Sequence, residues 1–174
     1  MTSNISYKDT LFVWYNLTPI RGEPTFETLH MFINYIKSNT KSVYSNIGGG
    51  AHGHLGRMLI DAQYAFISPT IFVYPTHPGL FISPDGTTAQ TNFNMRIAHT
   101  KRLSLFQEVM GVEQALVKKQ IDTVEEAYLV DIRNRATNST NNTVVDVLNH
   151  LKDNYGQLIL HKLLEPKDVI KKKI

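Results

Sequence analysis

The stretch NIGGGAHGHLGRM, residues 46–58, sets five glycines and two histidines into thirteen positions, and its reading decides the fold. A phosphate cradle at this point would demand a strand before it and a helix after it, hence an α/β chain. A joint between helices would leave the chain mainly α. Gly48, Gly50 and Gly53 do match G-x-G-x-x-G. That pattern binds a dinucleotide only after a strand, with the pyrophosphate on a helix N-terminus and an acid about 20 residues on. Upstream lies a helical pattern, residues 66–76 hold no acid, and His54 and Leu55 follow Gly53 where a phosphate-binding loop has Lys and Ser or Thr. The segment therefore reads as a structural joint made by Gly48, Gly49, Gly50, His52, Gly53, His54 and Gly56, in which glycines permit turns and close approach and histidines bond across the bend. The competing reading is a metal site or small hydrolase in which His52, His54 and His77 converge, without cysteine ligands and with Asp61 as the nearest acid.

Outward from this segment the chain falls into helices. Phe26, Leu29, Ile33 and Ile36 share one helical face behind the starting residues Pro24 and Thr25, which predicts a helix over 25–41. A short helix is expected at 55–60, then a turn capped by the Asp61 side chain and closed by Ser68-Pro69. In ISPTIFVYPTHPGLFISPDG two β-branched and aromatic runs, 71–74 and 80–82, flank a Pro/Gly turn, so 70–83 is expected to be extended or a small β-hairpin. Asp85-Gly86-Thr87-Thr88 starts the longest periodic stretch, carrying Phe93, Ile97, Phe106, Val109, Met110, Leu116 and Val117, and predicts one helix over 88–121 with Gly111 as a kink or a close approach. Thr123 with Glu126 predicts a capped helix to about Arg133, and Thr143 with Asp146 another ending near Gly156. Residues 158–164 begin a last helix that Pro166 interrupts. The aromatic positions Phe93, Phe106, Tyr128 and Tyr155 read as packing residues rather than base-stacking platforms.

Composition narrows function. With 174 residues, 42% of them hydrophobic, one domain with a real core is expected. No cysteine is present, which excludes disulfides, zinc ribbons and thiol nucleophiles. There is no G-x-S-x-G elbow, and the adjacent Glu125 and Glu126 read as solvated acids near a helix start. The net charge of +3 is local: residues 166–174 hold four Lys and one Asp, leaving fourteen bases and fourteen acids in 1–165. Any RNA contact therefore falls to Lys167, Lys171, Lys172 and Lys173, whose affinity would be salt-dependent. No apolar run reaches the roughly 18 residues of a membrane span, and the N-terminus lacks the pattern of a signal peptide. The expectation is a cytoplasmic protein with no cofactor, no membrane contact, no small-molecule substrate and no catalytic activity. It divides into an arm (1–24), a helical domain (25–165) and a basic tail (166–174).

The segments PTFETL, GGGAHGHLG, DAQYAFIS, VYPTHPG, GVEQALVKKQI and VVDVLNHLKDNYG follow one another over residues 24–156. In this order and spacing they resemble the N-terminal Gag-like region of copia-type LTR retrotransposon polyproteins. The resemblance implies a mainly helical, capsid-like domain that self-associates into a particle around the element's RNA, without catalysis. It makes Val144, Leu148, Leu151 and Tyr155 packing residues of the capsid core. Arg57 departs from the pattern, since relatives more often carry an apolar residue after GHLG, and Pro166 interrupts the expected final helix. The resemblance implies a fragment of such a polyprotein, a decayed copy, or a host protein derived from one. A third reading, an RNA-binding adaptor acting through the basic tail, stays open beside the capsid and histidine-site readings.

Overall fold

The computed structural model describes residues 11–14, 16–134, 136–137 and 140–156. The basic tail, the helix expected at 158–164 and the first ten residues lie outside the described residues. The chain is mainly helical. Its long elements are α1 (Phe26–Ser42), α3 (Ala89–Thr123) and α4 (Val144–Leu151), with a single helical turn, α2 (Asp61–Tyr64), between α1 and α3.

Each long helix starts on a threonine that satisfies free amides of the first turn. At α1, Thr28 N donates to Thr25 Oγ1 at 3.2 Å, and Thr25 N donates back to Thr28 Oγ1 at 2.8 Å. At α3, Thr88 Oγ1 accepts from Thr91 N at 3.2 Å. At α4, Thr143 Oγ1 accepts from Asp146 N at 3.2 Å while Thr143 N donates to the Asp146 carboxylate at 2.8 Å. These bonds hold the Asp146 carboxyl below its usual pKa, the backbone bond from Thr143 first and its hydroxyl second. The α4 helix then widens into a π-helical turn, Lys152–Gly156.

Leu29, Phe32 and Ile36 of α1 meet Val112 and Leu116 of α3 and Val144, Val147, Leu148 and Leu151 of α4 in the main core, and Tyr155 packs against its edge. Phe12 and Ile20, from the segment before α1, belong to the same core. Ile20 forms a parallel bridge to Val124, with Ile20 N donating to Thr123 O at 2.8 Å and Glu125 N donating to Ile20 O at 3.3 Å. Asn39 ties this segment to α1: its amide matches the Trp14 peptide on both sides, accepting from Trp14 N at 2.8 Å and donating to Trp14 O at 3.1 Å. Gln120 is fully buried in α3 and donates to Val144 O at 3.1 Å.

Four expectations are corrected. No helix runs from Thr123 to Arg133. The α3 helix continues through Thr123, whose hydroxyl donates back to Lys119 O at 2.7 Å, and only a short 3-10 turn, Glu126–Tyr128, follows. Thr123 is thus engaged inside the preceding helix, and Val124 is drawn off by its bridge to Ile20. The 55–60 helix is a 3-10 turn, Leu55–Arg57. Asp61 is the first residue of α2 rather than its cap, and Gln63 Oε1 accepts the Ile60 amide at 3.4 Å instead. Residues 70–83 are extended, as one of the two expected forms, but residues 71–79 pair in no hairpin. Phe26, Phe93 and Ile97 lie on the expected apolar faces yet are exposed; along the N-terminal half of α3 the extended segment meets other positions, Phe81 against His99 and His77 against Phe106. Burial in α3 begins at Val109. No helix among the described residues is long and apolar enough to cross a membrane.

Candidate functional site

The glycine and histidine segment lies between the C-terminal end of α1 and the middle of α3, and its backbone is approached closely on several sides. Gly53 has φ +53°, and a Cβ built there would overlap the carbonyl oxygens of Lys41 and Val43 at the end of α1. Gly56 has an ordinary φ, but a Cβ on it would run into the Phe72 ring. The first position needs glycine for conformation and space, the second for space alone. Phe72 is buried in a second, smaller apolar cluster with Ile47, Tyr64 and Val109. The Gly48 carbonyl accepts from Tyr64 Oη and from Ser68 Oγ, both at 2.9 Å, and the Gly56 carbonyl accepts from Tyr74 Oη at 2.6 Å. Side-chain hydroxyls thereby satisfy backbone acceptors that no regular helix or sheet would reach.

The three histidines have separate partners. His52 Nε2 donates to the Ile67 carbonyl at 2.8 Å, which places the proton on that nitrogen. His77 is exposed; its Nδ1 accepts from Gly79 N at 3.0 Å, and its ring stands edge-on to Phe106, centroids 5.0 Å apart. His54 is completely buried, and its backbone amide donates to Thr40 O at 3.0 Å. The His54 Nε2 lies 3.2 Å from Glu108 Oε1, without the alignment of a hydrogen bond. Burial lowers the His54 pKa to about 4; the Tyr44 backbone pulls the other way and the Arg57 charge lowers it further. Burial raises the Glu108 pKa, and a hydrogen bond from Ser45 opposes that shift. At neutral pH His54 is therefore an uncharged imidazole sealed from solvent. No group of three or more His, Asp or Glu side chains among the described residues is arranged to hold a metal ion.

The most developed polar arrangement centres on two residues that sequence reasoning did not join. Arg57 Nε donates to Glu113 Oε2 at 2.5 Å, and the other Glu113 oxygen accepts Val144 N at 2.8 Å, the first amide of α4. The Arg57 guanidinium also lies over the Tyr74 ring, 4.7 Å from its centroid. One buried carboxylate thus ties the glycine segment, α3 and the N-terminus of α4 together. The 56 residues separating Arg57 from Glu113 left no sequence signal. Beside this network a groove of about 560 Å³ runs along α3, lined among others by Glu113, Lys118, Asp122, Arg133 and Asn142. Lys118 pairs with Asp122, and Arg133 lies 3.6 Å from Glu126, so its cations face acids of the same chain.

Around the segment the Gly48 and Gly56 carbonyls and the His52 ring have partners within the chain, whereas both ring nitrogens of the buried His54 and Glu108 Oε1 make no hydrogen bond among the described residues. No protein-family model, no curated protein and no solved structure matches the chain.

Proposed function

We propose that this chain is a structural, self-associating Gag-like protein of a retrotransposon, or a host protein derived from one, that packages RNA in the cytoplasm and carries no catalytic activity. The observation that carries the reading is the apolar surface left uncovered in a single copy. Ile71, Val73, Leu80, Ile82, Phe93 and Ile97 are 41–89% exposed, and they fall on the N-terminal half of α3 and the extended segment before it. Scattered single apolar residues are normal on a surface, whereas a run of this kind on neighbouring elements marks an interaction face. The mainly helical fold and the balanced charge of residues 1–165 also support it. In this reading the glycine and histidine segment is the joint that seats α1 against α3, and RNA is held by Lys167 and Lys171, Lys172 and Lys173.

The test is size-exclusion chromatography with light scattering over a hundredfold range of concentration, with and without RNA and with a chelator. Mass that rises with concentration and ignores the chelator is the expected result. A monomer at every concentration sinks the proposal, and loss of structure with chelator would bring the histidine-site reading forward.

A further inference from the structure

The charges of residues 1–165 cancel in sum but not in place. From Gly86 to Gln107 the chain has three bases, Arg96, Lys101 and Arg102, and no acid. All three lie in the N-terminal half of α3, and all three are exposed. None of the ion pairs among the described residues includes any of them. Further along α3 the pattern reverses: Glu113 meets Arg57 and Lys118 meets Asp122. Cations held on a rigid helix with no carboxylate beside them keep their field for an anionic partner.

The same half of the helix carries an aromatic ring between its cations. At 3.6 residues per turn, Phe93, Ile97, Thr100 and Ser104 form one stripe, all of it exposed, with Arg96 on one flank and Lys101 on the other. Phe93 is 57% exposed, so its ring is open to solvent in place of the packing role its spacing predicts. The Arg96 guanidinium is steadied over the Phe81 ring, 5.4 Å from its centroid. Arg102 falls on the opposite side of the helix from the stripe.

This combination selects among anionic partners. A single-stranded nucleic acid places phosphates on cations while an unstacked base lies on an aromatic face. A duplex could use the cations but would leave the ring idle, because its bases are already stacked. A membrane surface asks for a helix with apolar residues gathered on one face and basic ones on the other. Here they are interleaved: Arg96 and Lys101 border the stripe that holds Phe93 and Ile97, and Thr100 and Ser104 continue it with hydroxyls.

We propose that the N-terminal half of α3 binds single-stranded RNA, with Arg96 and Lys101 on phosphates and Phe93 stacked on a base. This rests on the RNA-packaging reading, which assigned the contact to the tail lysines, and adds a contact on the folded body.

The experiment is fluorescence anisotropy of the full chain with a labelled single-stranded RNA of mixed sequence and with a duplex of the same length, over a range of salt. The variants are Arg96→Gln with Lys101→Gln, Phe93→Ala, Arg102→Gln as a control, and a chain with Gln at Lys167, Lys171, Lys172 and Lys173. Circular dichroism checks the helix content of each. Loss of Arg96 and Lys101 should weaken single-strand binding about tenfold at low salt and reduce the slope of log affinity against log salt by about 1.4, two contacts at about 0.7 each. Phe93→Ala should cost about fivefold or more with the single strand and little with the duplex. Arg102→Gln should stay near the parent, and the tail variant should retain the dependence on Phe93. RNA binding that ignores the α3 variants and disappears with the tail lysines overturns this surface while leaving RNA packaging standing. A parent that binds no RNA overturns both. Dependence on Phe93 and Arg96 for binding vesicles of phosphatidylserine and phosphatidylcholine, without such dependence for RNA, overturns the proposal in favour of a membrane.

Discussion

Substituting alanine at Gly53 and at Gly79 asks whether the glycine segment is a close-packed joint or merely a flexible stretch. Both glycines have positive φ, +53° and +75°. Holding an L-residue in that region costs about 1–2 kcal/mol, so a chain limited only by backbone conformation would lose about that much in both variants. Their surroundings differ. A Cβ on Gly79 meets nothing within 4 Å, whereas one on Gly53 overlaps two backbone carbonyls at the end of α1. Those oxygens are not on flexible side chains and move only if the helix end moves. Overpacking of this kind adds about 1–3 kcal/mol. Gly53→Ala should therefore cost about 2–5 kcal/mol and Gly79→Ala about 1–2. Gly56→Ala, with an ordinary φ, isolates the packing term: the new Cβ meets the Phe72 ring, and the expected loss is about 1–3 kcal/mol. Urea unfolding followed by circular dichroism measures all three. In heating experiments each kcal/mol should appear as roughly 2–4 °C for a chain of this size. Equal losses at Gly53 and Gly79, or no loss at Gly56, would show that the segment tolerates volume and refute the close-packing argument.

Further outcomes follow from the buried polar groups. His54 has a folded-state pKa of about 4 against an ordinary 6.5, so below pH 6.5 the unfolded chain takes up a proton that the folded chain refuses. Stability should fall between pH 6.5 and pH 4 by up to about 3 kcal/mol, and urea midpoints of a His54→Gln variant should lack that slope. The raised Glu108 pKa acts in the opposite sense, favouring the fold at low pH and losing that contribution as pH rises through its folded value, so Glu108→Gln should steepen the acid loss. Glu113→Ala leaves Arg57 and the Val144 amide without their carboxylate and should cost about 3–5 kcal/mol in chemical unfolding. A double-mutant cycle with Arg57→Met should be strongly non-additive, and additivity would mean that the pair does not act as a unit. Thr143→Ala removes the α4 cap and should cost about 1 kcal/mol, with the Asp146 carboxyl resonance titrating at higher pH than in the parent.

The local signals were legible where one stretch of chain contained its own answer. Thr25, Thr88 and Thr143 each precede a periodic stretch, and all three cap helices. The same rule failed at Thr123, because a threonine inside a helix can turn its hydroxyl to the carbonyl one turn back, and the chain's path beyond it is set by Ile20, about a hundred residues earlier. Periodicity placed Phe93 and Leu116 on one helix but could not tell which half of that helix has neighbours, since burial is a tertiary property. For the glycine segment, the helical pattern upstream argued against a phosphate loop; what a Cβ at Gly53 or Gly56 would meet depends on the end of α1 and on Phe72. The Arg57–Glu113–Val144 link and the His54–Glu108 approach join residues that no local pattern connects.

The length of α3 has a mechanical consequence. At 1.5 Å per residue its 35 residues extend about 52 Å. A compact sphere of 174 residues would be only about 40 Å across. The rod is longer than such a sphere is wide, and its N-terminal half runs along the extended segment, with His99 against Phe81 and Phe106 against His77, rather than through the main core. A partner bound along this half of α3 would be held at a spacing set by helix rise rather than by a linker.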